Sequence, residues 1–239
     1  MTDPLAALRA STRARVALGR AGDALPTSEL LELRAAHAAA RDAVHVPLGA
    51  DAVAADVEAL GPDVVRVTSA AAGRAEYLKR PDLGRRLAAG TDLEPGEYDV
   101  VLVLADGLSP LAVQNHGVPM LAAILSRLDG WRVAPVVIAT EARVALGDEI
   151  ASAIGARSVV VLVGERPGMS STDSLGIYFT FDARRGRRDS ERNCLSNIRP
   201  PHGTGYEAAA TTLAMLMAEA RRLGLSGVAL KADPALGTS

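Results

Sequence analysis

Three nearly continuous apolar runs organise the middle of the chain. Tyr98 to Ala105 reads Tyr-Asp-Val-Val-Leu-Val-Leu-Ala, Trp131 to Thr140 is rich in β-branched residues, and Arg157 to Val163 carries four valines. Runs of strand length without polar alternation are expected of strands buried on both faces. Between the first two runs, Ser109 and Pro110 form an N-cap and first-turn pair. The apolar positions from Leu111 to Leu128 then predict a helix broken near Gly117-Val118-Pro119. Between the second and third, a helix is predicted from about Val144 to Ile154, stopped by Gly155. Strand, helix, strand, helix, strand at this spacing predicts a βαβαβ unit with parallel crossovers.

The flanks read differently. Leu5 to Val16 and Thr27 to Val44 are rich in alanine and leucine and predict helices. Val64, Val65, Val67 and Thr68 follow the turn dipeptide Gly61-Pro62 as a short strand, and Glu76 to Leu87 is a charged turn leading into a short helix. Ile177 to Phe181 is a fourth strand candidate. Asp182 to Arg192 is so charged that an exposed loop or hairpin tip is expected. In Tyr206 to Leu223 the residues Tyr206, Ala209, Ala210, Leu213, Leu216, Met217 and Ala220 form one helical stripe. The expected architecture is α/β: a helical N-terminal lobe over 1–90, then a doubly wound, mostly parallel, Rossmann-like sheet over 91–230, and a loose tail over 231–239.

Composition narrows the class. The 239 residues are 49% hydrophobic, enough for a sizeable core, and 26 basic against 28 acidic side chains leave a net charge of -2. That balance gives no general attraction to nucleic acid or anionic lipid. Aromatics at 3% leave little material for base-stacking platforms. No apolar run approaches the ~18 residues that read as a membrane span, and the N-terminus has no signal-peptide apolar block, so a soluble, unexported protein is expected. The single cysteine, Cys194, excludes an internal disulfide and any Cys-x-x-Cys site.

In an open parallel sheet, ligands bind outside the carboxyl ends of the strands, where the strand order reverses. The loops at that edge are Asp106-Gly107-Leu108-Ser109, Glu141-Ala142-Arg143-Val144 and Gly164-Glu165-Arg166-Pro167-Gly168. Glycines at both ends of the third let its backbone approach a ligand closely, with Glu165 and Arg166 at the mouth, either facing a ligand or paired with each other and solvent. Helix starts at Ser109 and Val144 offer backbone N–H groups to an anion or an amide-rich ligand. Standard motifs are missing. Neither lysine follows a glycine as a phosphate loop requires, and Ser109 lacks a Gly-x-Ser-x-Gly elbow. Gly203, Gly205 and Ala208 fit a dinucleotide pattern, but Arg199-Pro200-Pro201 stands where its strand belongs. His37, His45, His116 and His202 have no metal spacing, so no catalytic residue and no metal ligand is assigned. Cys194, near Arg192, reads as a small buried filler or as a thiol in need of a base.

Five segments in order resemble the small subunit of ethanolamine ammonia-lyase. They are Ser11-Thr12-Arg13-Ala14-Arg15-Val16 with Gly19-Arg20-Ala21-Gly22, Tyr77-Leu78-Lys79-Arg80-Pro81-Asp82-Leu83-Gly84-Arg85-Arg86-Leu87, Asp106-Gly107-Leu108-Ser109, Val163-Gly164-Glu165-Arg166-Pro167-Gly168 and Cys194-Leu195-Ser196-Asn197-Ile198. The resemblance implies an adenosylcobalamin-dependent lyase that turns ethanolamine into acetaldehyde and ammonia. It also implies a large subunit, a TIM-type barrel, that binds substrate and does most of the chemistry. The small subunit would supply part of the cobalamin pocket and be inactive alone, in a hetero-oligomer of six large–small pairs, free in the cytoplasm or inside a bacterial microcompartment.

Carried over position by position, the family's cobalamin contacts fall on Val144, Glu165 and Cys194. The first two lie in loops already picked on strand geometry. The segment between Tyr178 and Cys194 is about one residue shorter than the family pattern, so Cys194 rests on its local match. Corrin side chains are neutral amides, so Glu165 is expected to accept their N–H groups and Val144 to pack against them. No Asp-x-His-x-x-Gly motif is present, which implies a base-on coenzyme with no histidine from this chain on cobalt. Two other classes use the same surfaces: a free-standing Rossmann-like enzyme with a nucleotide or methyl-donor cofactor, and a pure assembly subunit.

Overall fold

The computed structural model describes residues 5–12 and 14–230; the tail expected at 231–239 lies outside the described residues. In chain order the elements are α1 (Ala6–Ser11), α2 (Thr27–His45), α3 (Ala50–Glu58), β1 (Val64–Thr68), α4 (Arg74–Lys79), β2 (Tyr98–Ala105), α5 (Pro110–Ala112), α6 (Val118–Leu125), β3 (Val136–Thr140), α7 (Leu146–Ile154), β4 (Ala156–Gly164), β5 (Leu175–Phe181), β6 (Asn193–Ile198) and α8 (Tyr206–Leu223). The break anticipated near Gly117 is a π turn, Val113–Gly117. Pro119, the second residue of α6, has no N–H with which to continue the α-helical ladder.

The six strands form one sheet in the order β1-β3-β2-β4-β5-β6. β1 with β3, β3 with β2 and β2 with β4 are parallel, whereas β4 with β5 and β5 with β6 are antiparallel. The expected α/β class with a mostly parallel sheet is found, but the sheet is mixed, and its antiparallel β5 and β6 depart from a Rossmann-like arrangement. The cause lies in loop 165–174, which holds no crossover helix: a strand returning after so short a connection pairs antiparallel.

Helices cover both faces of the sheet. Val100, Leu102 and Leu104 of β2 pack with α3, α6 and α8 on one face, and Val101, Val103 and Ala105 pack with α7 on the other. Both halves of the period-2 alternation are therefore apolar, which explains the continuous run. Each such leucine or valine contributes about 1.5–3 kcal/mol by leaving water. β1, from the 1–90 segment, is an edge strand of this same sheet, and Val53, Ala54 and Val57 of α3 join its core. α2 buries only Ala43.

Two local expectations are corrected. β3 begins at Val136 and not at Trp131, because Pro135 has no N–H for the ladder; upstream, Val133 makes one isolated bridge to Val100. The charged segment 182–192 is not wholly exposed. Arg192 is buried, donating through both terminal nitrogens to Asp148 of α7 at 2.7 and 2.6 Å and to Thr180 Oγ1 at 2.9 Å. A charge can sit in a core when its partner and hydrogen bonds sit there with it.

Candidate functional site

The loops following β2, β3 and β4 meet at the carboxyl edge of the sheet and wall a cavity of about 410 Å³. Gly107 comes from the first loop, Ala142, Arg143 and Val144 from the second, and Gly164, Glu165 and Arg166 from the end of β4 and the third. Tyr77, Tyr178 and Ser196 complete much of the wall. The first and third loops touch backbone to backbone. The Leu108 N–H donates to the Gly164 carbonyl at 2.9 Å, and Gly107 has φ +56° with its would-be Cβ 2.3 Å from that same oxygen. Only glycine fits there.

The second loop is held by a buried carboxylate. Asp106 is 2% exposed; its Oδ2 accepts the Glu141 N–H at 2.8 Å and its Oδ1 the Ala142 N–H at 2.9 Å. These bonds keep Glu141 at φ +54°, a conformation that costs a residue with a Cβ about 1–2 kcal/mol. Burial pushes the Asp106 carboxyl up to about 6, against the pull of the two amides and of Arg74. Arg74 joins three segments: its Nε donates to the Val44 carbonyl at 2.7 Å, and its Nη1 to the Gly107 carbonyl at 2.9 Å and to Asp106 at 3.2 Å. Tyr77, fully buried, donates its hydroxyl to the Ala142 carbonyl at 3.0 Å, and burial holds that phenol well above the usual tyrosine range. Val144 thus rides on a loop fixed by α4 and by the end of β2.

Glu165 fixes the opposite wall. Its N–H donates to the Ser174 carbonyl at 2.9 Å, closing the base of the third loop. Its carboxylate accepts the Ser174 hydroxyl and the Asn197 N–H on Oε2, and the Ser196 hydroxyl on Oε1. Glu165 is therefore not spent on Arg166; it ties β6 to the rim. A carboxylate offers about four lone-pair sites, so with three donors in place Oε1 keeps room for one more.

Cys194 stands two residues before Ser196 on β6, opposite Tyr178 of β5. It is exposed and does not itself line the cavity, although its cross-strand partner Tyr178 does. Partial burial, followed by the neighbouring Cys194, pushes the Tyr178 phenol up to about 12. Although the residue is exposed, desolvation on its protein-facing side raises the Cys194 thiol, Tyr178 pulls it down and the Glu165 charge raises it further. Arg192 does not activate it, being committed to Asp148.

The structure thus brings Val144 and Glu165 onto one cavity and sets Cys194 beside it. Ser109, expected to offer a helix start to a ligand, is buried; its hydroxyl donates to the Thr172 carbonyl at 2.7 Å and caps Ala112 N–H at 3.3 Å. His116 is buried in the π turn between Tyr206 (2.7 Å) and Asp173 (3.3 Å) and is not on this wall. Sequence reasoning missed Arg74, Tyr77, Tyr178 and Ser196 as members of the site. Tyr77 and Ser196 left a signal, each within a segment that carries the family resemblance, and Tyr77 and Tyr178 are among the few aromatics.

A sheet whose strand-end loops wall an open cavity, fixed by a buried acid on one side and a hydrogen-bonded carboxylate on the other, defines an α/β protein with a candidate ligand site at the carboxyl edge of its sheet. Comparison with known proteins makes the class particular. The chain belongs to the ethanolamine ammonia-lyase light-chain family, whose model, "Ethanolamine ammonia-lyase light chain (EutC)", matches residues 2–231. It is 51% identical over 226 residues to the ethanolamine ammonia-lyase small subunit of Rhodococcus erythropolis, covering 94% of this chain and 88% of the relative. Identity to the small subunit of Ralstonia nicotianae is 50% over 239 residues, covering 96% and 88%. For that of Pseudomonas syringae pv. tomato it is 46% over 246 residues, covering 99% and 85%.

Proposed function

We propose that this small subunit of ethanolamine ammonia-lyase uses its strand-end cavity as one wall of an adenosylcobalamin site, completed by a large subunit in a hetero-oligomer of several such pairs. The observation that carries the reading is the meeting of Val144 and Glu165, two positions carried over from the family, on one cavity with Cys194 adjoining. The residues fit the group. A corrin is edged with carboxamides, for which Glu165 Oε1 keeps a free acceptor site, while Val144 supplies apolar surface. A cavity of about 410 Å³ suits part of so large a coenzyme and leaves the remainder to a partner.

When bound, adenosylcobalamin would supply the radical chemistry by which ethanolamine is converted into acetaldehyde and ammonia. The work of this chain is binding, orientation and exclusion of water on one side of the coenzyme. The engagement of His116 with Tyr206 and Asp173 suits a base-on coenzyme that takes no histidine from this subunit.

The test is a visible-absorption titration of cobalamin with the chain alone and with its large subunit. Tight binding by the complex and weak binding by the chain alone is the expected result; equal affinity in both would point to a free-standing binder, and none in either would remove the coenzyme from this surface. Within the complex, Glu165→Ala is expected to weaken cobalamin about 10-fold or more, the worth of a hydrogen bond to a charged group. Unchanged affinity would take Glu165 out of the site.

A further inference from the structure

We infer that Arg143 is a further coenzyme-binding residue, its guanidinium recognising an acceptor oxygen on the periphery of the corrinoid, either a carboxamide carbonyl or the phosphodiester of the nucleotide arm. The inference rests on the reading of the cavity as a corrinoid wall and goes beyond the positions that the family resemblance supplies.

Two guanidiniums pack on the ring of Tyr77, Arg74 at 4.9 Å and Arg143 at 4.6 Å from its centroid. Their uses differ. Arg74 commits Nε and Nη1 to two backbone carbonyls and to Asp106, with Glu141 Oε2 also 3.6 Å away. Among the described residues, no side-chain hydrogen bond or ion pair reaches Arg143. Its Nε is buried without a partner, but its two terminal nitrogens are not among the buried orphans, and the residue lines the cavity. The end of the fork therefore faces open space while its stem is fixed.

That fixing is specific. The Arg143 N–H donates to the Gly84 carbonyl at 2.8 Å, and a Cβ at Gly84 would stand 2.9 Å from Arg143 Cγ and 2.8 Å from the Tyr77 ring. A stacked, immobilised guanidinium has already lost much of its rotamer freedom, so an acceptor that binds it forfeits little further entropy. Glu165 does not neutralise it, being held by Ser174, Ser196 and Asn197. One cavity thus presents a free acceptor on its third loop and a free donor fork on its second. A carboxamide satisfies both; a phosphodiester satisfies the fork alone.

The experiment uses the complex of both subunits carrying Arg143→Met or Arg143→Lys, titrated with cyanocobalamin and with cobinamide, which lacks the nucleotide arm and its phosphate. Arg143→Met is expected to weaken cyanocobalamin about 10- to 100-fold. An equal loss for cobinamide assigns the contact to a carboxamide; a loss confined to cyanocobalamin, partly restored in Arg143→Lys, assigns it to the phosphodiester. Wild-type affinity for both corrinoids in both variants overturns the inference. If Arg143→Met lowers the melting temperature of the complex, Arg143→Lys decides: a several-fold loss at unchanged melting temperature supports the contact, and no loss overturns it. Wild-type complex that binds neither corrinoid overturns the reading of the cavity instead, whereas wild-type affinity in the Arg143 variants beside a weakened Glu165→Ala overturns this inference alone.

Discussion

Asp106 shows how one residue can serve the site at a cost to the fold. Its carboxyl titrates near 6 in the folded chain, against 3.8 for an ordinary aspartate, and burial is the main cause. The unfolded chain therefore releases this proton first as pH rises, so the contribution of Asp106 to stability is complete below about pH 4 and is lost through about pH 6. A shift of about two units corresponds to about 3 kcal/mol. Arg74, Glu141 and Tyr77 face the same group, and burial likewise raises Glu141, which adds to the slope in the same direction. Asp106→Asn removes the titration. Denaturant unfolding of both proteins between pH 4 and 7 is expected to show the wild type losing about 3 kcal/mol relative to the variant as pH rises; a difference independent of pH would refute the assignment. Against that cost, the two amide bonds of the carboxylate hold Glu141 at positive φ and so set the loop that bears Arg143 and Val144.

Between elements, the joint that matters is the one from Arg192, at the foot of β6, to Asp148 in the first turn of α7, with side chains 1% and 2% exposed. It links the strand bearing Cys194 and Ser196 to the helix that follows Val144. Burial still pushes the Asp148 carboxyl upward against the pull of Arg192, the mark of a pair bought with heavy desolvation. Arg192→Met alone leaves Asp148 buried without its cation and is expected to cost about 3–5 kcal/mol, whereas Arg192→Met with Asp148→Leu should recover most of it. Denaturant midpoints of the two variants check this, and a single-variant cost below about 1 kcal/mol would show the pair to be dispensable. The joint also marks where sequence reading stops. β2, β3 and β4 are legible because both of their faces are apolar, α8 because its stripe is regular, and the end of α7 because Gly155 caps it at φ +77°. β6, Asn-Cys-Leu-Ser-Asn-Ile on the sheet edge, has no such pattern, and neither does α3. Arg192 sits in a run of charges, and nothing local links it to an aspartate 44 positions earlier. The site divides in the same way: the strand-end loops were legible from strand spacing, but Arg74, Tyr77 and Tyr178 reach them only through tertiary packing.

At the scale of the whole molecule, one side of the cavity is open, and on the proposed reading its polar groups meet a ligand there. On that reading, Glu165 and Arg143 present an acceptor and a donor, and the Cys194 thiol beside them is held above its ordinary range. A coenzyme laid on this wall alone would keep much of its surface in water, where a reactive intermediate is unprotected and each polar contact is weakened by competition with solvent. Burying the rest requires a second wall, so binding energy and water exclusion should appear together when the large subunit docks. Mass action gives that coupling a size: a ligand at about 100 times its Kd stabilises its binder by about 2.7 kcal/mol. Cobalamin should therefore raise the melting temperature of the complex and leave that of the isolated chain nearly unchanged. Acetaldehyde should form from ethanolamine only when both subunits are present. Turnover by the purified chain alone, or an equal thermal shift with and without its partner, would mean that this wall suffices and that the division of labour argued from its open face is wrong.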